Sequence, residues 1–388
     1  MRFLIPAAVM AGLLVSCSSS DDAASSEGLP ASASDAVATY AAIVEATYQD
    51  SAETAGVLDA TAQALVSAPS QSNLDAARGA WIAAREPYLQ SEVFRFYQGP
   101  IDDVEGMINA WPLDEAYVDY VDDDPEAGII NDASQTIDAS SLMSLNEQGG
   151  EENIATGYHA IEFLLWGQDH SATGPGDRSF QDYASGDDGP AVNSERRGLY
   201  LTTTTSLLKS QLDGLVAAWA PGQDNYRKEI ESAEPKEAFT RILTGMIVLS
   251  GFETGGERLQ TALDSGSQED EHSCFSDNTH RDMVQDIQGV KNVWDGHYQR
   301  LDGSMVMGVG VGEVIAAVDA DLAKQVGAKI DASLALAKQL KPPFDQEIAL
   351  DNSEGRERVE ALIVSLREQE KLLQQVFRKL DLAIPVVE

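Results

Sequence analysis

The sequence predicts an all-α protein of long antiparallel helices packed in bundles, and three observations carry this. Apolar residues recur at intervals of three and four, as in Leu74, Ala77, Trp81, Ala84 and Tyr88. Almost no stretch alternates apolar and polar residues with the period of two that a half-buried strand requires. Proline, glycine and short polar runs interrupt the periodic stretches where helices would end.

Taken in order, residues 34–66 are alanine-rich, with Tyr40, Ile43, Val44, Tyr48, Leu58 and Leu65 at helical spacing; residues 67–72 break them. A helix resumes at Asn73, and Pro87 predicts a kink or an end near Glu86, because proline has no N–H to donate. Gln98, Gly99 and Pro100 make a turn. Residues 102–120 read as broken helical turns and 122–125 as a solvated acidic loop, while 129–145 fit one or two short helices. Residues 151–166 form a further helix. Residues 167–192 are rich in Gly, Asp and Ser and read as a long loop.

A helix over 193–219 stops at Pro221 and Gly222. The next, over 236–263, carries Gly251, Gly255 and Gly256, which admit a closely packed neighbour. A polar loop follows at 265–279, then helices at 279–298, 313–340 and 354–382, the last two parted by Lys341, Pro342 and Pro343. Residues 306–311 alternate, but their glycines argue for a loop.

The chain has 388 residues and a formal charge of −38, so phosphate would be repelled and nucleic acid is excluded as a partner. The bulk acidity accounts for solubility, and it also concentrates cations near the surface. Residues 1–16 read as a signal peptide: Arg2 opens it, and the apolar stretch behind it is too short to span a bilayer. Leu14, Val15, Ser16 and Cys17 resemble a bacterial lipobox, predicting cleavage before Cys17 and lipidation of its thiol. Ser18 in the next position implies sorting to the outer membrane, with the chain facing the periplasm or the surface. Residues 17–33 form a flexible tether. Only Cys274 remains as a second cysteine, so no internal disulfide forms, and Cys274 reads as a buried inert thiol.

The chemistry gathers at Gly157, His159 and Glu162. His159 and Glu162 are three residues apart and share one helix face among Ile161, Leu164, Leu165 and Trp166. An imidazole beside a carboxylate suits metal binding or acid–base work; the bland alternative is a structural hydrogen bond. Phe163 follows Glu162, so neither His-Glu-x-x-His nor His-x-x-Glu-His is present, and further ligands must come from elsewhere.

Gly-x-His-x-x-Glu, as Gly157, His159 and Glu162, resembles the signature of the imelysin family. Two further stretches resemble its iron-regulated branch. One runs over 86–102, from Glu86-Pro87-Tyr88 to Pro100-Ile101-Asp102; the other, over 268–282, contains Asp270-Glu271-His272-Ser273-Cys274 and Asp277-Asn278-Thr279-His280. The resemblance implies two helical-bundle halves, placed here at 34–220 and 221–388. It implies a metal ion, iron first and zinc as the alternative, held by His159 and Glu162 with Glu92 and Asp102. His280, Asp282 and Arg95 form a further candidate set, although Glu92 and Arg95 also suit a simple i,i+3 ion pair. Asp277 reads as a helix N-cap.

The resulting expectation is an outer-membrane lipoprotein that binds a metal and serves iron acquisition with iron-uptake partner proteins. A metallopeptidase with Glu162 as catalytic base is the first alternative. A non-enzymatic capture module for a peptide or polysaccharide, with an aromatic-lined groove, is the second.

Overall fold

The computed structural model describes residues 29–171, 173–185 and 192–382; the expected signal peptide and Cys17 lie outside the described residues. Helix α1 (Ala33–Ser67) follows from its alanine content and buries Tyr40, Val44, Tyr48, Leu58 and Leu65 on one face. Ser70 caps α2 (Gln71–Gln90) by accepting the Asn73 N–H. The break expected near Glu86 does not occur: α2 runs through Pro87 to Gln90. Pro87 sits in the last turn, so it deletes a single bond, and Tyr88 and Leu89 behind it are fully buried.

Four short helices follow: α3 (Glu105–Ile108), α4 (Glu115–Val118), α5 (Gly128–Asn131) and α6 (Ala139–Leu145). Helix α7 (Gly157–Trp166) starts six residues later than its apolar pattern predicts. The Asn146 side chain accepts the N–H groups of Ala155 (2.9 Å) and Thr156 (3.2 Å), holding the approach out of helical conformation. Gly157 then adopts φ +84°, and a Cβ there would lie 2.5 Å from the Ile108 carbonyl oxygen. All ten residues of α7 are buried.

Helix α8 (Ser194–Trp219) returns along α1, which packs on both α2 and α8. Beyond α9 (Tyr226–Ser232), α10 (Pro235–Ile247) widens into a π-helix over Val248–Gln260 and closes with α11 (Thr261–Ser265). Helix α12 (Thr279–Asp295) ends at Gly296 and leads into β1 (His297–Gln299). Strand β1 pairs antiparallel with β2 (Met305–Met307), Tyr298 opposite Val306, so part of the stretch expected as a loop is a small hairpin.

The long helix expected over 313–340 is two helices, α13 (Val311–Val318) and α14 (Ala320–Ala337). Asp319 separates them by leaving helical backbone angles to cap α14 at the Leu322 N–H. The chain closes with α15 (Phe344–Ile348) and α16 (Ser353–Lys379). Helix α16 lies so close to the π-helix that a Cβ on Gly251 would collide with the Glu370 carboxylate.

The large core runs from Ala33 to Leu380 and is densest between α1, α2, α7 and α8. A smaller one joins Leu259, Met283, Ile287, Leu334, Phe344 and Leu366. Helix α12 packs against both α2 and α14, and α2 in turn packs against α7. Among the described residues, no helix is long and apolar enough to cross a membrane.

Candidate functional site

Helix α7 places His159 and Glu162 on the face turned toward the loop before α12. Residues 271–279 of that expected polar loop are all buried. Glu162 is the reason they stay down. Its Oε1 accepts the Ser276 N–H (3.0 Å) and the Ser276 hydroxyl (2.6 Å), while its Oε2 is hydrogen bonded to His159 Nδ1 (2.9 Å).

His272 enters beside His159, with ring centroids 4.9 Å apart at 70°. Its Nδ1 is 2.7 Å from Asp282 Oδ2. Asp282 also accepts from the Ser273 hydroxyl (2.6 Å), the Asn278 amide (3.1 Å) and Arg85 of α2 (3.3 Å). Arg85 is fully buried among the rings of Trp81, Tyr88 and Tyr158. Trp111 packs edge-on against the His272 ring at 5.9 Å.

Each imidazole is thus anchored through Nδ1 by a carboxyl group, and among the described residues neither Nε2 has a hydrogen bond. His159 Nε2 is buried without any partner. A carboxylate behind Nδ1 is the outer-shell arrangement that orients a metal-ligating histidine and frees Nε2 for the ion. The donor set therefore fits a metal, with His159 and His272 as nitrogen ligands and Glu162 and Asp282 behind them. No third His, Cys, Asp or Glu ligand atom joins the two histidines within 4.8 Å among the described residues.

Burial sets the charges. It pushes Glu162 up to about 8, against the Ser276 hydrogen bond and Arg85, and it pushes His159 well below 6.5, helped by Arg85 and His272. Burial also brings His272 down to about 4, helped by Arg258 and opposed by Asp282. For Asp282 burial works upward, but Arg85, His272 and Ser273 outweigh it and keep the carboxylate ionised. At neutral pH both histidines are neutral, as metal ligands must be.

The other expected ligands are elsewhere. Glu92 is fully buried but bound by Arg95 (2.6 Å) and Arg258 (2.5 Å). Arg95 faces Glu92, Glu105 (3.1 Å) and Glu253 (3.7 Å), so it belongs to this charge network and not to the histidine centre. Asp102 is exposed and accepts the N–H groups of Phe96, Tyr97 and Gly99, which folds the turn after α2. Neither acid converges on His159: Glu92 is held by Arg95 and Arg258, with its Oε1 left unpartnered, and Asp102 by the N–H groups of its own turn. His280 bonds through Nδ1 to the Asp277 carbonyl (3.1 Å) at the start of α12 and touches neither His159 nor His272. Asp282, by contrast, is at the centre. Asp277 is not the expected N-cap: Asn278 holds that position, and Asp277 has φ +56° with both side-chain oxygens unpartnered.

Three members of the centre have to be added to the residues singled out by pattern: His272, Ser276 and Arg85. Arg85 had a signal, since it lies four residues after Trp81 and three before Tyr88, on the apolar stripe of α2. His272 lies within the motif-like stretch, but nothing in its spacing marks it above His280. Ser276 has no sequence signal.

The sequence profile described as imelysin matches residues 44–373 of the chain. Iron-regulated protein A of Synechococcus elongatus is 28% identical over 271 residues, covering 67% of this chain and 63% of that protein; the chain thus spans less than two thirds of its relative's length. A crystal structure described as an iron-regulated protein A precursor from Parabacteroides distasonis superimposes with a TM-score of 0.68 at 18% identity, over 89% of this chain and 95% of the other. An imelysin-like protein from Psychrobacter arcticum gives a TM-score of 0.64 at 14% identity, over 92% and 99%. These two share the all-α fold described above. The profile match extends across the whole helical region, from α1 to α16, and takes in the buried Gly157, His159 and Glu162: the chain belongs to the imelysin family.

Proposed function

We propose that this protein binds a metal ion, iron in the first place and zinc as the alternative, through His159 and His272, and that it serves iron acquisition. The observation that carries the reading is the buried, partnerless Nε2 of His159 beside a second imidazole, each ring held from behind by a carboxylate. Burying a ring nitrogen without a partner costs free energy unless something binds it. Two protein nitrogens leave coordination positions for water or a small chelator, as suits an ion that is cargo. The similarity to a protein named for iron regulation supports iron over zinc. Anchoring to the outer membrane through lipid on Cys17, facing the periplasm or the surface, would put the centre where iron-uptake partner proteins could receive the ion.

The peptidase reading needs Glu162 as a free base, and three hydrogen bonds occupy its oxygens. The capture reading needs an aromatic groove; the groove between α1, α6 and α8, lined by Gln63, Val66, Ala139, Thr202 and Leu207, has no aromatic side chain.

Calorimetric titration with Fe(II), Fe(III) and Zn(II), under controlled redox conditions, tests the proposal. Wild type should bind one ion per chain, and His159→Ala and His272→Ala should each weaken binding at least ~10-fold while retaining helical circular dichroism. Unchanged affinity in both variants would reduce the pair to a structural contact.

A further inference from the structure

The loop that carries His272 and Ser276 also builds a second cluster, made only of carboxylates. One oxygen from each of Glu271, Asp277 and Asp345 lies within 4.8 Å of the other two. Glu271 and Asp277 come from the loop and Asp345 from α15. Their exposures are 0%, 5% and 8%. Asp169, just beyond the end of α7, is also buried and acts electrostatically on Glu271 and Asp277.

Asp345 accepts the Gln346 N–H (2.6 Å) and is hydrogen bonded by the Gln346 side chain, but the other carboxylates lack partners to an unusual degree. Neither oxygen of Glu271 and neither oxygen of Asp277 accepts a hydrogen bond of ordinary geometry; the Thr279 hydroxyl is the nearest polar influence on Glu271. Asp169 uses Oδ1 to cap the Ser171 N–H and leaves Oδ2 buried and unpartnered. Among the described residues, no Arg, Lys or His forms an ion pair with any of the four. Other buried acids of this protein are treated differently: Glu92 meets two arginines, and so does Asp119, through Arg178 (2.8 Å) and Arg197 (2.6 Å). Burying several carboxylates together without a cation is strongly unfavourable.

The donors are all oxygen, which selects a hard cation over one that prefers nitrogen or sulfur. Calcium–oxygen distances of about 2.3–2.6 Å put ligand oxygens on one ion up to roughly 5 Å apart, which matches the spread of the three oxygens. We propose that Glu271, Asp277 and Asp345, with Asp169 beside them, bind a hard divalent cation of the calcium type that clamps the 271–278 loop to α15. The ion answers the negative charge that no side chain answers. Because the clamped loop supplies His272 and Ser276, the cation also positions the histidine centre. The site does not depend on what that centre binds.

The test uses the full chain after chelator treatment, with CaCl2 as the probe. Calorimetry should show one Ca2+ per chain, and the melting temperature should rise by several degrees in CaCl2 relative to EDTA. Asp345→Asn should weaken calcium binding roughly 10-fold or more and abolish that rise. In EDTA the same variant should melt no lower than wild type, because it relieves repulsion; this shows that it folds. His159→Ala should keep wild-type calcium affinity. Glu271→Gln, nearer the centre, serves as the second variant and should behave like Asp345→Asn. Equal melting of wild type in CaCl2 and EDTA would overturn the proposal, as would wild-type calcium affinity in Asp345→Asn. Iron binding that requires Asp345 while calcium is refused would overturn it too.

Discussion

Glu92 and Glu162 are both fully buried glutamates, and the protein gives them opposite charge states. Burial alone would raise Glu92, but Arg95 and Arg258 outweigh it and bring it down to about 2. Glu162 accepts from Ser276 and shares a hydrogen bond with a neutral histidine, with only the more distant Arg85 as counter-charge, and burial takes it up to about 8. Hydrogen bonds from neutral donors satisfy a carboxylate's geometry without cancelling its desolvation; a cation in contact does both. The Glu92 network is thus built for cohesion between the turn after α2, the π-helix and α12, with Arg258 also reaching Asp286 (2.9 Å). The Glu162 centre is left able to change protonation state.

The largest expected effect is on the arginine side. Arg258→Ala leaves Glu92 and Asp286 buried with less positive charge, and should cost about 3–5 kcal/mol in urea unfolding. A cost below ~1 kcal/mol would mean that Arg95 alone neutralises Glu92.

Glu162→Gln should cost less, about 1–3 kcal/mol, because the Gln oxygen can still accept from Ser276. The pH dependence separates the two acids more sharply. The folded value for Glu162 lies above its ordinary 4.5, so its protonation stabilises the fold at low pH, and that contribution is lost as pH rises from about 4.5 through about 8. Wild type should therefore lose its advantage over Glu162→Gln across that window. Glu92 lies below its ordinary value, so its contribution is present above pH 4.5 and is lost as pH falls toward about 2. Wild type should lose its advantage over Glu92→Gln in acid. Parallel slopes for the two variants would remove the distinction.

The smallest effect belongs to Asp102→Asn. An exposed turn cap of this kind should cost about 0.5–2 kcal/mol and leave metal affinity unchanged. A loss of metal binding in this variant would return Asp102 to the ligand set.

Much of the architecture was legible in the sequence. Helical periodicity located α1, α8 and α16 to within a few residues, and the glycines at 251 and 255 marked the close approach of α16. The His159–Glu162 pair was legible because both partners sit on one helix face. The errors share a cause. Helix α7 begins late because Asn146, nine residues before Ala155, and Ile108, remote along the chain, restrain its approach. The 265–279 stretch read as a loop because its residues are polar, yet residues 271–279 are buried, with Glu162 supplying the acceptor for Ser276.

Local sequence therefore determined what short-range physics controls: helix propensity, the apolar face of each helix, proline and glycine interruptions, and side-chain pairs one turn apart. Only the tertiary structure decided which polar groups are satisfied. Glu92 and Glu162 are both fully buried glutamates, and the chain nearby distinguishes them only in part, through Arg95 one turn from Glu92. Arg258 lies 166 positions from Glu92 and Ser276 lies 114 from Glu162. Inside a low-dielectric core such distant contacts, together with Arg95 beside Glu92, set whether a carboxylate is ionised, because desolvation is common to both and the counter-charge is not.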